Sequence, residues 1–481
     1  MATVLRVLTD AQVERIHEES LAVLARTGMR IDSAQARRIL GEAGASVDEA
    51  ERRVRFPREL VEHALAAAPR RFSLGGRRPG FALPMNAGEC TLMPDGEMTT
   101  VWDAEAGVRR APVPQDWEDA TRLIDTIDEV GAYWRMITSG IDADGGPGAA
   151  VAHWRSVHRL FSKHIQDEIA TPDDARWLLE LLVTIHGSRE AVQRVHPFSV
   201  LFCPVSPLAM EGDHTDAWLA TAGWDIPIAI MPMPMMGSSA PTGLRSTIVS
   251  GNAEVLGTIV LAQAAHAGTP VIYAPALAVM EPRTGRWGGG GPEHSLLGAA
   301  TTEMGRSYGL PVIASNGGTD HFVTGIQAAY ERTLNWTLPV LSWPDVLIGP
   351  GSLGGASTLS LEQLLIDVEV YRMARRLHEG IETGRGEPDV PAALDEVGPV
   401  GDFLARTATR DAVRGGEWHL PRLGYHGAFG GWEDEGRPDI LDEARARARA
   451  AIDGHAPIPL PDEVEAELAR LERAARETQG S

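Results

Sequence analysis

Short apolar runs alternate with longer amphipathic segments along most of the chain after residue 115. An apolar run of about four to eight residues between turn residues is typical of a buried strand, whereas apolar residues repeated every three or four positions predict a helix. Strands are predicted at 135–139, 164–170, 198–203, 226–231, 270–274, 311–315 and 345–348. Helices are predicted at 115–129, 150–162, 173–187, 251–267, 293–308, 323–337 and 360–379.

This alternation indicates an α/β fold. Continuous apolar strands separated by helices are buried parallel strands, and seven or eight such units favour a closed (β/α)8 barrel of the TIM type. The predicted barrel spans residues 115–390. A doubly wound open sheet is the alternative, but that fold usually carries a Gly-rich phosphate turn after its first strand, and the sequence shows none there.

Three segments flank the predicted barrel. Residues 1–80 are expected to form an N-terminal helical cap. Residues 81–114 contain turn pairs at 95–96 and 106–107 between short β-like runs, a pattern that predicts β-hairpins. Residues 391–481 are expected to form a C-terminal helical extension that packs on the barrel.

The chain of 481 residues has a formal net charge of −22. Nucleic acid and anionic membranes repel such a chain, because proteins that bind them usually present basic patches. No apolar run approaches the roughly 18 residues needed to cross a bilayer, and the opening MATVLRVLTD lacks a secretion-signal pattern. With only two cysteines, Cys90 and Cys203, a disulfide scaffold is excluded and a cytoplasmic setting is expected. The acidity also suits a cationic ligand, although solubility alone explains it.

Loops rich in Gly, Pro, Ser, Asn and Met follow several predicted strands. They are CPVSPL (203–208), MPMPMMGSSAP (231–241), ASNGGTD (314–320) and GPGSLGG (349–355). In a barrel such loops meet at the C-terminal mouth, where the chemistry of this fold takes place. Their glycines also allow a ligand to approach the backbone closely. The sequence therefore predicts a site at these strand ends.

The common catalytic motifs are missing from the sequence. It has neither a GxSxG nucleophile elbow nor a GxxxxGK[ST] phosphate loop. Asp213, His214 and Asp216 form a compact polar group, but three polar residues on one loop are usually solvated, so no metal is predicted. The run Gly288–Gly291 is expected to be a mobile loop or lid.

Tryptophan is frequent, with twelve residues in the chain. Most are explained by core packing. Trp134, Trp287 and Trp336 lie near predicted strand ends or loops, and aromatic faces attract cations, including quaternary ammonium groups. These three are therefore candidates to line a pocket for a substrate.

Further segments carry a resemblance to a known family. They are LTDAQVERIHEESLAVLARTGMRID (8–32), RVRFPRELVEHALAAAPRRFSLGGR (53–77), PMPMMGSSAP (232–241), GNAEVLGTIVLAQ (251–263), GGTD (317–320), QAAYE (327–331), LEQLLIDVEV (361–370) and GGWEDEGRPDILDEARARA (430–448). In this order, and over almost the whole chain, they resemble the trimethylamine methyltransferase family. That family includes enzymes that lack pyrrolysine and demethylate glycine betaine and related compounds.

The resemblance implies a barrel methyltransferase that passes a methyl group to the Co(I) corrinoid (a cobalamin) of a small partner protein, with no metal held by the chain itself. A quaternary nitrogen already carries its charge, so it departs as a neutral tertiary amine. The trimethylamine enzymes of the family are associated with pyrrolysine, and this sequence uses only the twenty standard residues. A quaternary amine similar to glycine betaine is therefore the expected donor, and a homo-oligomer is the expected assembly. The alternatives are a different methyl acceptor, such as tetrahydrofolate, and a non-catalytic protein that binds quaternary amines.

The resemblance also suggests residue roles in the segment 314–331. Asn316 and Gln327 are predicted to contact the donor, with Asp320 or Glu331 pairing with its cation. Catalysis is expected to proceed mainly by positioning, without a covalent protein nucleophile.

Other positions are candidates on weaker grounds. Glu254 is a second candidate anion, although an acid near a helix start also complements the helix dipole. Arg245 and Arg283 are candidate partners for a betaine carboxylate. The strand-end glycines are expected to admit the corrinoid, and they are Gly317, Gly318, Gly349 and Gly351.

Overall fold

The computed structural model describes residues 4–137, 145–381 and 389–478. Helices and short strands precede the barrel: α1 (Asp10–Arg26), β1 (Met29–Ile31), α2 (Ala34–Glu42), β2 (Ser46–Asp48), β3 (Arg53–Arg55), α3 (Arg58–Ala67), β4 (Phe72–Gly75) and β5 (Ala82–Met85). Helix α1 begins with a capping box, in which the Gln12 amide donates to the Thr9 hydroxyl and the Thr9 amide donates to the Gln12 side chain. The expected N-terminal cap thus contains a small antiparallel sheet, β1–β3–β2, as well as helices.

The remaining strands extend from residue 91 to residue 359. They are β6 (Thr91–Met93), β7 (Thr100–Asp103), β8 (Val108–Arg110), β9 (Ala132–Tyr133), β10 (His164–Asp167), β11 (Phe198–Phe202), β12 (Ala209–Met210), β13 (Ile228–Ile230), β14 (Met235–Met236), β15 (Val271–Tyr273), β16 (Ala278–Met280), β17 (Trp287–Gly288), β18 (Ile313–Ser315), β19 (Val346–Ile348), β20 (Ser352–Leu353) and β21 (Thr358–Leu359).

Helices separate the main strands along this part of the chain. They are α4 (Pro114–Thr126), α5 (Gly146–Leu160), α6 (Pro172–His186), α7 (Arg189–Val195), α8 (Gly212–Leu219), α9 (Leu244–Ala265), α10 (Pro292–Ser307), α11 (Ile326–Ser342) and α12 (Leu361–Glu379). At most of their ends, the predicted helices agree with the observed ones to within a few residues. Helix ends are the feature that a sequence pattern defines least well.

Eight parallel strands close into a barrel. Five form one sheet in the order β15–β13–β11–β10–β9, and three form another in the order β18–β19–β6. Parallel bridges between Leu92 and Val130 and between Tyr273 and Val312 join the two sheets at both edges. The barrel strands are almost entirely buried, as their continuous apolar runs require. The predicted (β/α)8 barrel is confirmed.

The barrel begins earlier than residue 115. Strand β6 lies in the segment that was predicted to form hairpins, yet it pairs in parallel with β19. Hairpin pairing does occur in this segment, between β7 and β8. In the sequence, the short run Thr91–Met93 precedes a turn at 95–96, which is the pattern of a hairpin strand. Its parallel pairing with the distant strand β19 shows that it belongs to the barrel.

Strand β9 also differs from its prediction at 135–139, because it lies about three residues earlier, at Ala132–Tyr133. Residues after it still pair, since the Met98 amide donates to the Met136 carbonyl above the barrel. The end of the predicted strand lies outside the described residues.

Helix α9 is long and apolar enough to cross a membrane by length and composition alone. However, 83% of its apolar window is buried inside the fold. It contacts α1, α3 and α10. Helix α9 is therefore buried in the way that is typical of a core helix.

The C-terminal part contains α13 (Val390–Val397), α14 (Thr407–Arg414), α15 (Phe429–Asp434), α16 (Ile440–Asp453) and α17 (Asp462–Thr478). Helix α16 contacts α12 and α4, and helix α17 contacts α5 and α6. Helices α13 to α15 have no buried residue. Only the last two helices therefore add to the core of this chain.

Candidate active site at the mouth of the barrel

A cavity of about 330 Å³ lies at the C-terminal ends of the barrel strands. Its lining residues are Asp95, Gly96, Glu97, Trp134, Glu168, Met231, Met233, Ala276, Trp287, Gly289, His294, Ser315, Asn316, Gly318, Gly355 and Ala356. Its volume is at the small end of ligand pockets, which measure about 300–1,000 Å³. One larger hollow, of about 530 Å³, lies against α6 and α17, and another, of about 550 Å³, lies between the β7–β8 hairpin and helices α4, α12 and α16. The cavity at the mouth is the candidate active site because barrel enzymes act at this face.

Two tryptophans form aromatic walls of the cavity. Trp134 follows β9 directly, and its side chain is 5% exposed. Its ring lies against Gly96, where an added Cβ would be 2.2 Å from the ring, so a larger residue at that position would displace the ring. Trp287 is the first residue of the short strand β17, before α10, and meets His294 edge-on, with ring centroids 6.4 Å apart. Both rings were predicted from sequence to line a pocket.

Three carboxylates also line the cavity, each just after a barrel strand. Glu168 follows β10, and burial raises the pKa of its carboxyl to about 7, with the Asp167 and Glu97 charges acting in the same direction. Burial likewise raises the pKa of Glu97, although the Arg135 guanidinium, 2.7 Å away, opposes the shift. Burial also raises the pKa of Asp95. Burial therefore disfavours the ionised form of all three carboxyl groups.

Asp167 lies directly behind Glu168. The Trp154 indole donates to its carboxylate at 3.0 Å, and the His153 Nε2 lies 3.3 Å from the same oxygen. Burial opposes ionisation of Asp167, but Arg135 and the hydrogen bond from His153 outweigh it and hold the pKa below its ordinary value. Asp167 is therefore a fixed negative charge that helps to raise the pKa of Glu168.

The opposite wall carries uncharged polar groups. Burial lowers the pKa of His294 to about 4, so its imidazole is neutral at neutral pH. The Asn316 side-chain amide donates to the His294 carbonyl at 2.8 Å. Its Oδ1 is buried, has no hydrogen-bond partner among the described residues and lies against Gly298, where an added Cβ would be 1.6 Å away. Tight packing against α10 therefore holds the Asn316 side chain in place, and Asn316 forms part of the cavity wall.

The acidic residues predicted in the segment 314–331 do not line the cavity. Glu331 accepts hydrogen bonds from the Thr319 hydroxyl, the Asp320 amide and the Gln327 side chain. Asp320 accepts from the Gly289 amide at 2.8 Å. An added Cβ at Gly290 would lie 2.6 Å from the Glu331 carboxylate, so the loop packs directly on this group. The two carboxylates and Gln327 therefore hold the glycine-rich loop that closes one side of the cavity.

Three other predicted side chains lie elsewhere. Glu254 is buried in α9 and accepts from the Ser206 hydroxyl and the Leu208 amide, both at 2.7 Å. Arg245 pairs with Glu19 outside the barrel, and its side chain is 48% exposed. Trp336 is fully buried.

The four predicted glycines contact the chain itself. An added Cβ would meet the Trp336 ring at Gly317, the Gly289 carbonyl at Gly318, the Asn316 carbonyl at Gly349 and the Leu364 side chain at Gly351. Gly318 is the member of this group that also lines the cavity. Internal packing therefore accounts for the absence of a side chain at all four positions.

Sequence reasoning missed the three lining carboxylates. Asp95 and Glu97 lie in the segment assigned to hairpins, and Glu168 was placed inside a predicted strand at 164–170. Their position in the sequence could have identified them, because a carboxylate directly after a buried parallel strand lies at the mouth of a barrel. Among the described ranges, no group of three His, Cys, Asp or Glu residues could hold a metal ion.

Comparisons with known proteins agree with this fold and identify the family. The profile of the trimethylamine methyltransferase (MTTB) family matches residues 2–479. The chain is 29% identical to a trimethylamine methyltransferase of Methanosarcina thermophila, over 96% of this chain and 95% of the relative. It is 27% identical to a glycine betaine methyltransferase of Desulfitobacterium hafniense, with coverage of 96% and 95%. The crystal structure of the Methanosarcina barkeri monomethylamine methyltransferase aligns with a TM-score of 0.52 and 10% identity, over 93% of each chain.

The fold and the site thus define a barrel protein with a small acidic and aromatic cavity at its C-terminal mouth. The chain belongs to the trimethylamine methyltransferase family, since the family profile spans nearly all of it. At 10% identity, the solved structure shows likeness of fold alone.

Proposed function

We propose that this protein takes a methyl group from a quaternary amine and delivers it to the Co(I) corrinoid of a partner protein. The observation that carries the proposal is the cavity at the strand ends, in which two tryptophan rings and three carboxylates face one small volume. Membership of the family supplies the reaction class, and a related glycine betaine methyltransferase supports the quaternary donor.

The cavity suits a quaternary ammonium group chemically. Such a cation cannot donate a hydrogen bond through its nitrogen, so it is bound by aromatic faces and by negative charge. Trp134 and Trp287 supply the faces, and Glu168 supplies a carboxylate that ionises near neutral pH. The thioethers of Met231 and Met233 complete an apolar lining around the methyl groups.

The transfer needs no acid or base from the protein. The methyl carbon leaves as a formal cation, and the electron pair of the broken C–N bond stays on nitrogen. The product is therefore a neutral tertiary amine. The cobalt of the partner, when bound, supplies the nucleophile that accepts the methyl group. The residues of this chain orient the donor and shield it from water, which is catalysis by positioning.

The corrinoid is expected to reach the cavity from outside. A corrin ring is far larger than the cavity of about 330 Å³, and the glycines predicted to admit it are packed against the chain's own atoms. This arrangement suits a cofactor carried by a partner protein that presents it at the mouth. The donor lies inside and the acceptor approaches the opening.

The decisive experiment mixes the purified protein with cob(I)alamin and a panel of quaternary amines, and follows methylation of the cobalt by its visible spectrum. Methylation with at least one donor, accompanied by release of the matching tertiary amine, is expected. If tetrahydrofolate is methylated instead, the acceptor is different. Donor binding without any transfer would mean a non-catalytic binding protein.

We also expect a homo-oligomer. Large apolar side chains of the segment 389–439 are exposed on the single chain, for example Leu404 (86%), Phe429 (70%) and Trp418 (50%). Contiguous exposed apolar surface is typical of protein interfaces. Light scattering of the purified protein is expected to give a mass above the 51.7 kDa of one chain. A monomeric mass at micromolar concentration would contradict this expectation.

A further inference from the structure

We infer that the methyl donor is a quaternary ammonium ion without a carboxylate, so that the whole donor carries a charge of +1. The inference rests on the proposed function and narrows its substrate class from quaternary amines in general to cations that are not betaines. It follows from the charges that line the cavity at the mouth of the barrel.

The lining contains carboxylates and no basic side chain. Three of its sixteen residues are acidic, and none of these described residues is Lys or Arg. His294 is neutral at neutral pH because burial lowers its pKa. The described residues that line this cavity are therefore acidic or uncharged, and the nearest basic groups, Arg135 and Arg332, act on it from behind Glu97, Glu168 and Asp95.

The arginines next to the lining residues in sequence are already engaged. Arg135 follows Trp134, and its guanidinium pairs with Glu97 at 2.7 Å. Arg286 precedes Trp287, and its guanidinium stacks over the Phe322 ring at 5.0 Å. Successive residues of an extended segment face opposite ways, so the ring of Trp287 and the guanidinium of Arg286 lie on different sides.

The backbone of the loop offers little compensation. A betaine carboxylate would need N–H donors in place of a basic side chain. The Gly289 amide, which is part of the cavity wall, already donates to Asp320 at 2.8 Å. A second carboxylate would also lose its hydration and lie beside Glu97 and Glu168. The lack of N–H donors and the loss of hydration beside these carboxylates both disfavour binding of a zwitterion. A cation without a carboxylate meets neither penalty.

The test compares two classes of donor on the full-length protein. Tetramethylammonium and choline represent cations, and glycine betaine and a longer betaine represent zwitterions. Calorimetry without cobalamin gives the dissociation constants, and methyl transfer to cob(I)alamin gives kcat/KM. We expect the best cation to exceed the best betaine by at least about tenfold in affinity, which is the factor given by one weak charge interaction.

A matched pair of variants tests the cause of the preference. Glu168→Gln removes a lining charge, and its ratio of cation affinity to betaine affinity should fall. Glu281→Gln makes the same change outside the lining, where Glu281 pairs with the exposed Arg283, and the ratio should stay the same. Thermal unfolding of each variant shows that the folded protein is being compared.

The outcomes separate the inference from the proposed function. Equal or tighter binding of a betaine overturns the inference, even if methyl transfer is observed. Preferential binding of a cation without transfer to cobalt supports the inference about the site and overturns the proposed reaction. If no quaternary amine of either class binds, both are wrong.

Discussion

Two acidic groups lie near the mouth of this barrel, and they differ in what their oxygens contact. In the first group, Glu331 and Asp320 accept hydrogen bonds from the chain's own amides and hydroxyls. In the second group, Glu97 and Glu168 line the cavity. Among the described residues, the Glu168 carboxylate has a weak partner in the Cys203 thiol at 3.9 Å, whereas Glu97 pairs with the Arg135 guanidinium at 2.7 Å.

The difference shows how to distinguish structural carboxylates from those that face a ligand. A buried carboxylate that satisfies several protein donors stabilises the conformation of those donors. Among the described residues, Glu168 lines the cavity, has a raised pKa and has no strong partner, and a cationic ligand would supply the missing compensation. The family-like motif in 314–331 holds the first kind of carboxylate, and the end of β10 holds the second kind.

The largest expected effect is on stability, from Glu331→Gln. The new amide group cannot accept every hydrogen bond that the carboxylate accepts from Thr319, Asp320 and Gln327. We expect a loss of about 1–3 kcal/mol in the free energy of unfolding, the cost of leaving buried donors unpaired. Chemical denaturation measures it. Donor affinity per folded molecule should change little, and a large loss of affinity with unchanged stability would reverse the two roles.

Glu168→Gln should act mainly on donor binding, whereas Glu331→Gln should act mainly on stability. Removing a charge that interacts with the bound cation is expected to raise KM by about tenfold, equivalent to ~1.4 kcal/mol. The value of kcat should change less, because an interaction present in both ground and transition states affects KM alone. Steady-state kinetics with the best donor measures both. A loss confined to kcat would indicate instead that Glu168 acts on the transition state.

The pH dependence of donor binding should follow the Glu168 carboxyl. Its pKa of about 7 in the free protein should fall when a cation binds, so binding releases a proton near neutral pH. Affinity should then rise with pH up to about 7 and level off above it, by up to about tenfold per pH unit. Calorimetry in buffers of different ionisation enthalpy detects the proton. The dependence should disappear in Glu168→Gln.

The same carboxyl affects stability with the opposite sign. The folded protein keeps the Glu168 proton over a pH range in which the unfolded chain has lost it, because burial raises the folded-state pKa. Its contribution to stability is therefore lost as pH rises from the ordinary glutamate range to about 7. Glu168→Gln should gain stability relative to the parent protein at pH 8 compared with pH 5. Parallel unfolding curves at the two values of pH would contradict this assignment.

The smallest effect is expected from Asp320→Asn. The asparagine carbonyl can still accept from the Gly289 amide, so the loop should keep its position at a cost of about 0.5–1.5 kcal/mol. Donor affinity should change by less than in Glu168→Gln. Thermal unfolding and calorimetry measure the two effects. If Asp320→Asn abolished donor binding while the fold stayed intact, Asp320 would belong to the ligand-facing group.

The sequence by itself determined the architecture of this protein. Apolar runs separated by helical periodicity predicted the barrel, because burial of parallel strands depends on local composition that a single chain displays. The order of the family-like motifs indicated the family, which the profile over residues 2–479 shows. The sequence also predicted that Trp134 and Trp287 line a substrate pocket, because large rings beside strand ends are visible in it, and both residues line the cavity at the mouth.

Only the tertiary structure decided which charges face the cavity. Strand β6 is recognised by its pairing with β19, more than 250 residues away, and so Asp95 and Glu97 could not be placed at the mouth from local pattern. Asp320 and Glu331 have the composition of a cation site, yet their oxygens are occupied by nearby donors. Which donors reach a carboxylate depends on contacts between distant segments. The sequence therefore located the mouth of the barrel, and the three-dimensional packing selected the carboxylates that are available to a ligand there.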